Sequence, residues 1–112
     1  MTHRDDIARN AIFWADLGPP AGRRPVVIVS RDAAASVLNS VIAVPITRTI
    51  RGIRSEVPLG PANGLQSNCV ANCDHIMTIP IDRLVGPPVG TLDFAERIAL
   101  DSALRYSLDI LA

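Results

Sequence analysis

Over its first ninety residues the chain never sustains a hydrophobic period for long, because β-branched runs such as "VVIVS" and "VIAVPIT" are each cut by proline, glycine or charge. Runs this short cannot support stable helices, but they suit short strands whose turns are supplied by Gly and Pro. Strands are predicted at 11–17, 26–30 and 41–47, with a short one at 56–59 and one or two more within 70–79. The stretch 18–22, "GPPAG", ends the first strand; 32–38 has room for a short helical turn, 80–84 is a turn, and 86–90, "GPPVG", reads as a punctuating loop. Pro45 breaks the ladder of its own strand, which calls for an edge, a bulge or a sharp bend there.

A helical period emerges only at the end. Thr91 is the expected N-cap of a helix starting at Leu92 or Asp93, with Asp93 and Glu96 in the first turn, where the dipole favours acids. Leu100, Leu104, Leu108 and Leu111 form one stripe, and Ala95, Ala99, Ala103, Tyr106 and Ile110 widen it. Arg97, Asp101, Arg105 and Asp109 alternate in sign on the other side. The apolar face is wide enough for a second subunit, although packing across a curled sheet accounts for it equally. Short strands followed by one helix predict a single mainly-β domain over 1–112, built on a small, strongly bent antiparallel sheet or barrel.

No apolar run approaches the roughly 18 residues of a membrane span. The opening "MTHRDDIARN" lacks the apolar centre of a signal peptide, so a cytoplasmic protein is expected. Cys69 and Cys73 are too few for a disulfide scaffold and read as reduced, partly buried side chains. A metal reading of Cys69, Cys73 and His75 is weak, because on an extended strand the two sulfurs stand roughly 13 Å apart and no fourth ligand is evident nearby. No metal and no cofactor are expected.

The formal charge is zero, yet all 11 basic residues are arginine and they are unevenly placed. Between Leu17 and Arg54 stand Arg23, Arg24, Arg31, Arg48, Arg51 and Arg54, against Asp32 alone. Arginine's planar fork suits phosphate and carboxylate, so this region attracts anions even in a neutral chain. No phosphate loop, dinucleotide fingerprint, nucleophile elbow or zinc-binding helix motif is present. What remains are polar groups at predicted strand ends: Arg24, Thr47, Asn72, Asp74 and His75. On a continuous strand Asn72 and Asp74 share one face while Cys73 and His75 share the other. An arginine beside a hydroxyl fits metal-free RNA cleavage, in which the substrate's 2′-hydroxyl attacks the adjacent phosphate and positive charge stabilises the developing anion. Asp74 could accept the 2′ proton or orient Arg24, and a noncatalytic barrel binding nucleic acid or peptide carries the same residues.

The segments "NAIFWADLGPPAG" at 10–22, "RRPVVIVSRD" at 23–32, "VIAVPIT" at 41–47 and "CVANCDHIMTIPIDRL" at 69–84, with the Gly90 loop before the terminal helix, resemble in order and spacing the MazF/PemK family of toxin endoribonucleases. The resemblance implies an SH3-like β-barrel with a C-terminal helix and a homodimer. It also implies metal-independent cleavage of single-stranded RNA to 2′,3′-cyclic phosphate and 5′-hydroxyl ends. The family's essential arginine falls on Arg24, its threonine on Thr47, and an aspartate used by some members on Asp74. Arg23, Arg48, Arg51, Arg54, Asn72 and His75 are then candidates for RNA contact. The loop before Arg23 is shorter than in relatives, and Met77 stands where they commonly carry a basic residue. The family further implies a cognate antitoxin with a flexible acidic C-terminal segment lying over the groove, for which Arg23, Phe13 and Trp14 are the candidate contacts.

Overall fold

A computed structural model describes residues 4–111 of the chain. Strands β1 (Ala11–Asp16) and β2 (Arg23–Ile28) form a hairpin, followed by one helical turn, α1 (Ala34–Val37). Next come β3 (Ser40–Thr47), β4 (Glu56–Leu59), β5 (Cys69–Asn72), β6 (Met77–Pro80), β7 (Leu84–Thr91) and the helix α2 (Phe94–Leu108). All pairings are antiparallel, and the path across the sheet is β4-β5-β3-β2-β1-β7, with β6 also on β3.

The bend comes from β3. Its first half, Ser40 to Ala43, pairs with β6, and its last two residues, Ile46 and Thr47, pair with β5. Pro45 sits where the partner changes, so its missing N–H falls between the two ladders and leaves neither short of a donor. Both faces of the curled sheet are consequently covered. Ile12, Val27, Val44, Ile46, Val57 and Ala71 lie beneath Leu100 and Ala103 of α2, while Phe13, Val26, Ile28, Val41, Ala43 and Ile79 form a second cluster with Ala35 of α1.

Strand pairing does not close the sheet into a barrel. The gap between its edge strands β4 and β7 is crossed by a 3-10 turn, Pro61–Asn63, that follows β4. The buried Asn63 amide donates to the Thr91 carbonyl at 3.2 Å and to the Glu96 carboxylate at 2.7 Å, tying β4's end to β7 and α2. Gly90 makes this approach possible: a Cβ there would lie 2.0 Å from the Asn63 carbonyl oxygen.

Four local expectations change. The 86–90 segment lies inside β7, where pairing to β1 jumps from Trp14↔Val85 to Ile12↔Gly90 and the intervening residues bulge outward. The N-cap of α2 is Asp93, not Thr91, which closes β7. Asp93 accepts from the Glu96 N–H at 2.8 Å, and the Glu96 carboxylate accepts from the Asp93 N–H at 2.9 Å, a reciprocal capping box. Of the apolar stripe only Leu100 and Ala103 are buried and Leu104 half-buried, whereas Leu108, Ile110, Tyr106 and Leu111 are exposed. Asp101 pairs with Arg9 of the β1 approach at 2.9 Å, not with an arginine of its own helix. Among the described residues no helix is long and apolar enough to cross a membrane.

Candidate nucleic-acid interface

Register explains why Arg24 and Thr47 meet. The β2–β3 ladder pairs Val26 with Pro45, and two residues further along the same register Arg24 stands level with Thr47. On the other side of β2, Trp14 is opposite Pro25, Ala15 opposite Arg24 and Asp16 opposite Arg23. Arg23 and Arg24 are exposed and belong to the strand rather than to the turn before it. The Arg24 Nε donates to the Ala21 carbonyl at 3.3 Å, a local hydrogen bond that orients the guanidinium over the hairpin loop. The Thr47 hydroxyl accepts from the Thr49 N–H at 3.1 Å, a bond that does not use the hydroxyl's own proton.

Two cavities flank this pair. One, of about 460 Å³, is lined by Trp14, Arg23, Arg48, Leu65, Gln66 and Ser67 together with Arg24 and Thr47. The other, of about 340 Å³, is lined by Leu17, Thr49, Arg51, Asn72, His75 and Met77, again with Arg24 and Thr47. Arg24, Thr47 and Ala21 are therefore the ridge shared by two adjoining hollows, and the whole groove carries four arginines and no carboxylate on its walls. The loop that delivers Arg48 and Arg51 is shaped from below: the Glu56 carboxylate accepts the Arg51 and Gly52 N–H groups at 3.0 and 2.9 Å. Gln66 and Ser67 were not singled out individually in the sequence, although the polar, glycine-rich stretch that holds them reads as a ligand loop.

Four of the sequence candidates lie differently from expectation. Asp74 lines neither cavity, because β5 ends at Asn72 and the chain turns before strand alternation can carry Asp74 round with it. Its carboxylate accepts the Ser55 hydroxyl at 2.6 Å and the Ser107 hydroxyl at 3.0 Å, and those two bonds hold its pKa below the ordinary carboxylate value. His75, expected on the opposite face from Asn72, lines the second cavity beside it, since Asn72 closes β5 and His75 lies in the turn that follows. Phe13 is fully buried in the second core cluster and offers no surface, whereas Trp14 is 40% exposed at the groove. Arg54 is stacked over the Tyr106 ring of α2 at 4.5 Å and lines neither cavity. Cys69 and Cys73 are buried free thiols, and burial, with the Asp74 charge adding to it, pushes Cys73 up to about 11.

A bent, half-open β-sheet capped by one helix, with four arginines lining a groove at its rim, defines a small, mainly β domain whose groove carries positive charge. The family described as "PemK-like, MazF-like toxin of type II toxin-antitoxin system" matches residues 8–108, and the chain belongs to it. It is 38% identical over 87 residues to the endoribonuclease MazF3 of Mycobacterium tuberculosis, covering 78% of this chain and 84% of that protein. Among solved structures, the M. tuberculosis toxin MazF-mt6 superposes with a TM-score of 0.84 at 35% identity, covering 91% of this chain and 99% of the other. A mycobacterial endoribonuclease in complex with its cognate antitoxin superposes with a TM-score of 0.81 at 31% identity, covering 94% and 97%.

Proposed function

We propose that this protein is a toxin endoribonuclease that cuts single-stranded RNA at selected sequences, acts in the cytoplasm as a homodimer and is held inactive by a cognate antitoxin. The observation that carries the assignment is the shared ridge: Arg24 and Thr47 line both cavities, so a phosphate seated on them has a nucleotide on either side. The 2′-hydroxyl of the upstream nucleotide attacks the phosphorus and loses its proton. The 5′-oxygen of the downstream nucleotide then departs and gains one, leaving a 2′,3′-cyclic phosphate and a 5′-hydroxyl. Arg24 stabilises the extra negative charge on the phosphoryl oxygens, and a guanidinium remains cationic throughout, so this chemistry requires no bound metal. The Thr47 hydroxyl donates to a phosphoryl oxygen or positions the attacking sugar. Arg23, Arg48 and Arg51 hold the flanking phosphates, while Gln66, Asn72 and His75 are placed to read base edges in the two hollows.

The same groove suits an acidic antitoxin segment, which would pair with Arg23, Arg48 and Arg51, rest an apolar side chain on Trp14 and exclude RNA. Exposed Ile42, Leu108 and Ile110 leave apolar surface for the second copy of a homodimer. Incubating the purified protein with mixed-sequence RNA in EDTA and identifying product ends tests the assignment. Cyclic phosphate and 5′-hydroxyl ends are expected. Binding without cleavage would instead identify a noncatalytic RNA-binding domain, and cleavage that needs a divalent ion and leaves 5′-phosphates would overturn the chemistry.

A further inference from the structure

Two of the segments that wall the smaller cavity meet just beyond the end of the β4–β5 ladder, whose last pair is Glu56 and Asn72. One is the loop 48–55, which supplies Thr49 and Arg51, and the other is the end of β5 with the turn after it, which supply Asn72 and His75. One carboxylate bonds from the turn to both the loop and α2. Asp74 accepts the hydroxyl of Ser55, a buried residue at the end of the loop, and the hydroxyl of Ser107, which stands near the end of α2. The one Ser107 hydroxyl proton is shared with the Cys73 carbonyl, 2.7 Å away, and the Cys73 N–H donates to the Ser55 carbonyl at 2.9 Å. Arg54, the neighbour of Ser55, lies over Tyr106, the neighbour of Ser107, so loop and helix are held together at two adjacent points.

We propose that Asp74 is a positioning residue: with Ser55 and Ser107 it forms a latch that fixes the loop and the β5–β6 turn against α2, and so sets Arg51, Asn72 and His75 at the spacing that RNA requires. The role of these three side chains toward RNA rests on the function proposed above, whereas the latch itself is visible in the hydrogen bonds alone. Charge is central to it. A carboxylate offers acceptors to both hydroxyls at once, and a charge-assisted hydrogen bond is stronger than a neutral one. The depressed pKa of Asp74 follows from the same two bonds and keeps the carboxylate ionised at neutral pH. The turn is also pinned from within, because the Asn72 side-chain oxygen accepts the Asp74 N–H at 3.1 Å and the His75 N–H donates to the Asn72 carbonyl at 3.2 Å. Displacing Asp74 therefore shifts His75 and frees the Asn72 side chain, while the Asn72 backbone stays in the β4–β5 ladder. A general base would need its oxygen within reach of the 2′-hydroxyl, whereas this one faces α2.

The test uses Ser107, which lines neither groove cavity. In RNA cleavage assays Ser107→Ala and Asp74→Asn are expected to raise KM roughly three- to tenfold while kcat changes less than about twofold, the pattern of lost ground-state positioning. Ser107→Thr, which keeps the hydroxyl, should restore KM. Amide hydrogen exchange on the RNA-free protein gives a readout independent of catalysis: in Ser107→Ala, exchange should quicken at Cys73 and His75 and leave β1, β2 and β3 unchanged. If the protein does not cleave RNA, the proposed function fails and the exchange result still decides the latch. A kcat loss of about 100-fold in Asp74→Asn with KM unchanged would make Asp74 the general base and overturn the proposal. Exchange at Cys73 and His75 that is unchanged in Ser107→Ala, or raised uniformly over all strands with KM unaltered, would overturn it too.

Discussion

Gly90→Ala should cost stability out of proportion to the single methyl group that it adds. The new Cβ would lie 2.0 Å from the Asn63 carbonyl oxygen and 2.7 Å from its carbon, both backbone atoms that cannot swing aside as a side-chain tip would. Strand β7 and the Pro61–Asn63 turn must therefore separate by roughly 1 Å or more, an overpacking strain that typically costs about 1–3 kcal/mol. The separation also stretches both hydrogen bonds of the buried Asn63 amide, to Thr91 and Glu96, each worth about 0.5–1.5 kcal/mol. The expected loss is about 2–6 kcal/mol, a large share of the 5–15 kcal/mol typical of a domain. Gly86→Ala is the internal control. It lies in the same strand at φ +74° with open space around its Cβ, so it should cost only the strain of a left-handed residue, about 1–2 kcal/mol. Urea unfolding at constant m-value measures both. If Gly90→Ala loses no more than Gly86→Ala, the 3-10 turn does not close the gap between β4 and β7. Gly64 to Ser67 follow that turn and line the larger cavity, so Gly90→Ala should also weaken RNA binding.

Cys73, pushed up to about 11, should resist a thiol reagent at pH 8 in the folded protein and react once urea unfolds it. The raised pKa also has a stability consequence: between pH 9 and 11 the unfolded thiol ionises while the folded one does not, so stability falls as pH rises through that window and owes nothing to this group below it. Neutralising Arg23, Arg48 and Arg51 together should weaken binding of the antitoxin's acidic segment by about tenfold or more and flatten its salt dependence. Unchanged binding would place the antitoxin elsewhere. Sedimentation at micromolar concentration should give about twice the 12.0 kDa chain mass, and a concentration-independent monomer would remove the homodimer.

The strands with β-branched cores were readable to within a few residues because Gly and Pro bound them tightly, and residues 56–59 form β4 as expected. Pro45 called for an edge, a bulge or a sharp bend, and it falls where β3 exchanges β6 for β5, since a missing N–H must fall where no ladder needs it. The glycine–proline stretch 86–90 misled for the complementary reason: on an edge strand, with a bulge facing outward, those residues cost little and the strand runs through them. Phe13 and Trp14 could not be told apart because both faces of this sheet are buried, so the alternation that normally separates core from surface is absent along β1 until its rim. Arg24 and Thr47 could be picked out as strand-end groups, but their meeting depends on the β2–β3 register, which local sequence does not encode. Asp74 was recognisable as a significant acid, and its direction was not: strand alternation places it beside Asn72, and the end of β5 at Asn72 cancels that alternation. Ser55 and Ser107 had no sequence signal, being ordinary serines 52 positions apart that only the fold brings to one carboxylate.

Single-turnover cleavage by Arg24→Ala tests the central claim most directly. Arg24 is exposed and its one described side-chain hydrogen bond is a 3.3 Å contact within its own loop, so the unfolding midpoint should stay within about 0.5 kcal/mol of the parent's. The cleavage step at saturating RNA should nevertheless fall by ~10²-fold or more, the usual consequence of removing one charge-stabilising donor from a transition state, with Thr47→Ala less severe. An Arg24→Ala protein that cleaves RNA within twofold of the parent's rate, at unchanged stability, would contradict the account and move the reacting phosphate off the ridge between the two cavities.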